Sequence, residues 1–115
     1  MKVFVDDLRD PVRYLGKERG EGMTWVKEWW EAKNLLIGAS EDITEIHFDH
    51  YLGGKRTAGQ LFEMVAYRIV SRRKWLNLKD IYLHSSDMAI VEGYISNWAE
   101  RLAVVGVTLH NNSRG

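Results

Sequence analysis

Chemistry-bearing residues stand where three short apolar runs of this sequence stop. Asp6-Asp7 follows Lys2–Val5, Asp49-His50 follows Ile43–Phe48, and His84-Ser85 follows Ile81–Leu83. Carboxylates brought together repel one another unless a cation sits among them, and oxygen donors suit Mg²⁺ or Mn²⁺. Asp6, Asp7 and Asp49 are therefore candidate ligands of a divalent cation; the alternative is that each caps the loop behind it. Imidazole gives and takes protons near neutral pH, as hydrolysis of a phosphate ester requires. His50 and His84 are the candidates for that work, with Asp49 beside them; a solvated loop histidine is the plainer alternative. Arg9 either pairs with Asp6 or Asp7 or clamps a phosphate bidentately. Ser85 either bonds a phosphoryl oxygen or serves as a helix-start hydroxyl. Gly53-Gly54 marks a turn whose amides could also meet a phosphate. His47, between Ile46 and Phe48, reads as structural, and His110 is open to either role.

The elements that must carry these residues are legible in the hydropathy pattern. Lys2–Val5 is apolar on both faces, as a strand covered on both sides is. Met23–Val26, Ile43–Phe48, Ile81–Leu83 and Val104–Leu109 are the other strand candidates. Between them lie Glu28–Gly38, with Trp29, Ala32, Leu35 and Leu36 at helical spacing, and Thr57–Trp75, with the stripe Leu61, Phe62, Val65, Ala66, Ile69 and Val70. Met88–Leu102 follows, with Asp87 as its N-cap. Trp29-Trp30 cannot both face a core from one helix, so one of the two is either exposed as a stacking or partner surface or partly buried under a neighbouring loop. Strands alternating with helices imply right-handed crossovers and a parallel sheet. The expected fold is α/β, a single domain over residues 1–115 with a doubly wound five-stranded parallel sheet and helices on both faces. The polar end from His110 to Gly115 is expected to fray. In such sheets ligands bind beyond the carboxyl ends of the strands, where these acids and imidazoles fall.

Composition removes several classes of function. Lys+Arg and Asp+Glu both number 16, so the formal charge is zero, against a general nucleic-acid binder, which needs basic excess facing phosphates. The chain has no Cys, so disulfides, thiolate nucleophiles and Cys-type metal sites are impossible. The longest apolar stretch, around Leu102–Leu109, is far short of the roughly 18 residues a membrane span needs. The acid at the sixth residue comes too early for a secretory signal. A cytoplasmic protein without membrane or general nucleic-acid partners is the expectation.

Three segments, DDLRDP (Asp6–Pro11), FDHYLGG (Phe48–Gly54) and LHSSD (Leu83–Asp87), together resemble the cyclic-phosphate processing receiver-like family, within the receiver superfamily of two-component signalling. The resemblance covers nearly the whole chain in the right order. It implies a receiver-like (flavodoxin-like) three-layer sandwich, a divalent-metal cofactor, Mg²⁺ or Mn²⁺, and action on a cyclic phosphate of a nucleotide or RNA end. Carried over, Asp6, Asp7 and Asp49 are the metal or acidic-pocket residues, and Arg9, His50, His84 and Ser85 the additional polar set. The expected ligand is thus a small phosphorylated one, such as a cyclic nucleotide or an RNA 2′,3′-cyclic phosphate. The sequence departs from the family pattern at Tyr51 after His50 and at Asp87-Met88 after Ser86. Val104–His110 has no Lys, the residue that contacts the phosphoryl group in a phosphorelay receiver. A metal-assisted phosphodiesterase is therefore expected, with a cyclic-nucleotide or protein binder and a phospho-accepting receiver as the alternatives.

Overall fold

The computed structural model describes residues 1–6, 12–13, 17–49, 57–72, 74–85 and 87–112. In chain order the elements are β1 (Lys2–Val5), α1 (Lys17–Gly20), β2 (Thr24–Val26), α2 (Trp29–Gly38), β3 (Glu45–Asp49), α3 (Ala58–Arg72), β4 (Asp80–His84), α4 (Met88–Val104) and β5 (Thr108–Asn111). All strand pairs are parallel and the sheet order is β2-β1-β3-β4-β5. The chain thus steps outward from β1 to β2, then returns past β1 and advances to β5. Right-handed crossovers put the β1–β2 connection on one face of such a sheet and α2, α3 and α4 on the other.

The burial pattern obeys that topology. Val3, Val5, Ile46, Phe48, Ile81 and Leu83 form one buried cluster with Leu36 of α2, Leu61, Phe62 and Val65 of α3, and Val91 and Leu102 of α4. Because strand side chains alternate, Phe4, His47, Tyr82 and His84 turn to the opposite face. No described helix is long and apolar enough to cross a membrane.

Local chemistry sets the element boundaries. At the start of α3 the Thr57 hydroxyl accepts from the Gln60 amide (3.4 Å) while Gln60 Oε1 accepts from the Thr57 amide (3.2 Å), a reciprocal capping box. At α4 the Asp87 carboxylate accepts from the Ile90 amide at 3.2 Å, as an N-cap should. Trp29 is partly buried and donates its indole N–H to the Thr57 carbonyl at 3.0 Å, whereas Trp30 is 54% exposed.

Three expected boundaries are corrected. The helix expected to reach Trp75 ends at Arg72. Trp75 takes a left-handed backbone (φ 55) and buries its ring, donating its indole N–H to the Leu36 carbonyl at 3.0 Å. The strand expected from Val104 begins at Thr108, because α4 continues to Val104 and closes with a Schellman motif. There Val107 N–H reaches Leu102 O and Gly106 N–H reaches Ala103 O, both at 3.0 Å, with Gly106 at φ 86. The fraying expected from His110 does not begin there, since β5 runs through Asn111 and the Asn112 amide still bonds Leu83 O at 2.9 Å. Residues 113–115 lie outside the described part.

Candidate functional site

Parallel register turns the face opposite α2, α3 and α4 into rows. Trp25, Phe4, His47, Tyr82 and His110 are register partners in succession across all five strands. Their rings stack: His47 on Tyr82 at 4.4 Å and 5°, Tyr82 on His110 at 4.1 Å and 7°. One pleat toward the strand amino ends, Lys2 is paired with Glu45, Glu45 with Asp80 and Asp80 with Thr108. One pleat toward the carboxyl ends, Asp49 is paired with His84. Asp6 stands one residue past the last β1 pair, Val5 with Phe48, and so beside Asp49 at the rim.

A chain of hydrogen bonds links these rows. Glu45 Oε2 lies 2.7 Å from His47 Nε2, and His47 Nδ1 lies 2.8 Å from His84 Nε2. His47 and His84 are both buried, at 0% and 2% exposure, so the polar character of each imidazole must be met inside the protein. His84 also lines a small hollow at the carboxyl ends of β3 and β4 with Asp49 and Ser85, over a floor that includes Phe48, Phe62 and Val91. Ser85 Oγ accepts from the Asp87 amide at 3.0 Å, which ties it to the start of α4.

Of the sequence-predicted residues, Asp49, His84 and Ser85 come together in that hollow. Asp6 is buried at the neighbouring strand end, where its amide donates to Val26 O (3.1 Å) and its carbonyl accepts from the Trp25 indole (2.8 Å). Asp7, Arg9, His50 and Gly53-Gly54 lie outside the described residues. His110 sits one row below the rim, bonded to Asp80 at 2.8 Å and stacked on Tyr82. Sequence reasoning passed over Glu45 and read His47 as structural; His47 bonds His84 directly, and Glu45 reaches His84 only through His47. The available signal was the i, i+2 spacing Glu45-His47-Asp49, which places three polar residues on one face of a strand.

Asp6 and Asp49 on adjacent strand ends offer hard oxygen donors. Mg²⁺ is commonly held by one or two carboxylates together with water and substrate phosphate, so this donor set fits it. Among the described residues, no three acids or imidazoles gather closely enough to hold a metal by themselves.

A parallel α/β sheet of order β2-β1-β3-β4-β5, with its acids at the ends of the two strands flanking the switch in strand order, defines a receiver-like domain. The chain belongs to the family of cyclic-phosphate processing receiver domains, whose model matches residues 1–93. No curated protein and no solved structure matches the chain.

Proposed function

We propose that this domain hydrolyses a cyclic phosphate of a nucleotide or RNA end at the carboxyl rim of its sheet. What supports the reading is that Asp49 and His84 are register partners at the carboxyl ends of β3 and β4, with Ser85 the next residue and Asp6 on the adjoining strand end. In the reaction, a water oxygen bonds to phosphorus and one bond from phosphorus to a sugar oxygen breaks. The water gives up a proton, the sugar oxygen gains one, and the product is a phosphomonoester beside a free hydroxyl. His84 and His50 divide those two proton transfers. Arg9 and Ser85 hold the phosphoryl oxygens. A divalent cation, bound by Asp6, Asp7 and Asp49, would neutralise the charge that grows on those oxygens. The absence of Lys from β5, whose sequence is TLHN, weighs against a phosphorelay role.

The test is incubation with a panel of 2′,3′- and 3′,5′-cyclic phosphates, with and without Mn²⁺, followed by chromatography of the products. Metal-dependent opening of one ring type is expected. Tight binding of a cyclic phosphate without turnover would replace the enzyme reading with that of a sequestering module.

A further inference from the structure

We infer that Glu45 and His47 are positioning residues for His84, selecting which of its ring nitrogens keeps a lone pair. The use of that selection rests on the hydrolytic reading above; its geometry does not. His47 is fully buried with both ring nitrogens engaged, Nε2 at 2.7 Å from Glu45 Oε2 and Nδ1 at 2.8 Å from His84 Nε2. A carboxylate has only lone pairs to offer, so the proton between Glu45 and His47 belongs to His47 Nε2. A neutral imidazole carries one N–H, which leaves His47 Nδ1 an acceptor. The bond between the two rings is then donated by His84 Nε2, and the lone pair of neutral His84 is on Nδ1.

Glu45 therefore sets, through one intervening ring, which nitrogen of His84 carries the N–H and which keeps the lone pair. Packing holds the chain in plane. The His47 and His84 rings are within 11° of parallel, and His47 is stacked on Tyr82 at 5°. Phe4 lies against both imidazoles, with centroids 5.7 Å from His47 and 5.9 Å from His84. This is the logic by which a buried acid orients a catalytic histidine in acyl transfer, here with a second imidazole between the acid and the working ring.

Ring-nitrogen NMR of uniformly ¹⁵N-labelled protein without ligand tests the inference, because long-range ¹H–¹⁵N spectra distinguish the two tautomers. In the wild type, His47 and His84 should each show a protonated Nε2 and an unprotonated Nδ1. Glu45→Gln, whose carbonyl can accept the same N–H, should keep that pattern. Glu45→Leu and His47→Leu should give averaged nitrogen signals at His84. On the cyclic phosphate that the wild type opens, these two variants should lose kcat by about 10–100-fold, the usual cost of removing an orienting partner, with KM little changed. Glu45→Gln should retain most of the rate. A protonated Nδ1 on wild-type His84, or wild-type His84 signals in folded His47→Leu, overturns the inference. If the wild type opens no cyclic phosphate, the hydrolytic reading fails, and the wild-type nitrogen spectrum still decides the positioning.

Discussion

Removing one member of the buried imidazole pair should cost more than its share, and removing both should return much of the loss. In His84→Leu the His47 Nδ1 acceptor loses its 2.8 Å partner in a site with no access to water; in His47→Leu the His84 Nε2 donor does. A buried polar atom left unsatisfied costs about 1–3 kcal/mol, while replacing both partners by apolar groups of similar size is close to neutral. Each single variant should therefore lose about 2 kcal/mol. The double variant should lose about 1–2 kcal/mol rather than the sum of about 4, since Glu45, with 16% of its side chain exposed, can turn to water. At roughly 4 °C per kcal/mol for a domain of this size, each single variant should melt about 8 °C below wild type, with the double at or above them. Urea unfolding followed by far-UV circular dichroism and tryptophan fluorescence gives the three free energies, comparable if m is unchanged. A double-variant loss equal to the sum of the singles within about 0.5 kcal/mol would refute the shared hydrogen bond.

Asp87→Ala removes the N-cap of α4 and should lower stability by about 1 kcal/mol, read as a melting shift of a few degrees. Mg²⁺ or Mn²⁺ should raise the melting temperature by mass action, and Asp49→Ala should lose most of that rise; equal shifts in both proteins would remove the carboxylates from the metal site. His84→Ala should lower turnover of a cyclic phosphate by about 10²–10⁴-fold, the range of general acid–base catalysis, in a steady-state assay on folded protein. Treatment with a small phosphodonor should leave Asp49 unmodified by intact mass, and stoichiometric acyl phosphate there would favour a signalling receiver instead.

The sheet was legible because strands covered on both faces announce themselves: Val3, Phe4 and Val5 are all buried, as a run without polar alternation requires. The α3 stripe was equally plain, with Leu61, Phe62, Val65, Ala66 and Ile69 all buried. Val104-Val105 misled because β-branched residues read as strand, while the deciding feature was the left-handed Gly106 that prolongs α4 and closes it. The strand-end rule pointed to Asp49, His84 and Ser85, and the fold sets them at neighbouring strand ends. It could not find the role of His47, because alternation gives the face of a strand residue but not its partner on the next strand. That partner follows from the pairing of Asp49 with His84, which brings the His47 ring against the histidine of β4.

The strand order also fixes how the sheet can be assembled as the chain is synthesised. Once β2, β1 and β3 have emerged and joined, each later strand adds to an edge that already exists, β4 on β3 and β5 on β4, so growth is vectorial and no finished pair is ever reopened. Domains tend to fold from the amino-terminal side during synthesis, and this order suits them. The exposed stage is the four-stranded one, when β4 presents unpaired backbone and α4 has not yet packed Trp98 and Leu102 into the core. A chain arrested in α4 should thus be the aggregation-prone species on the ribosome, and the packing of Trp98 and Leu102 the step that lessens the hazard.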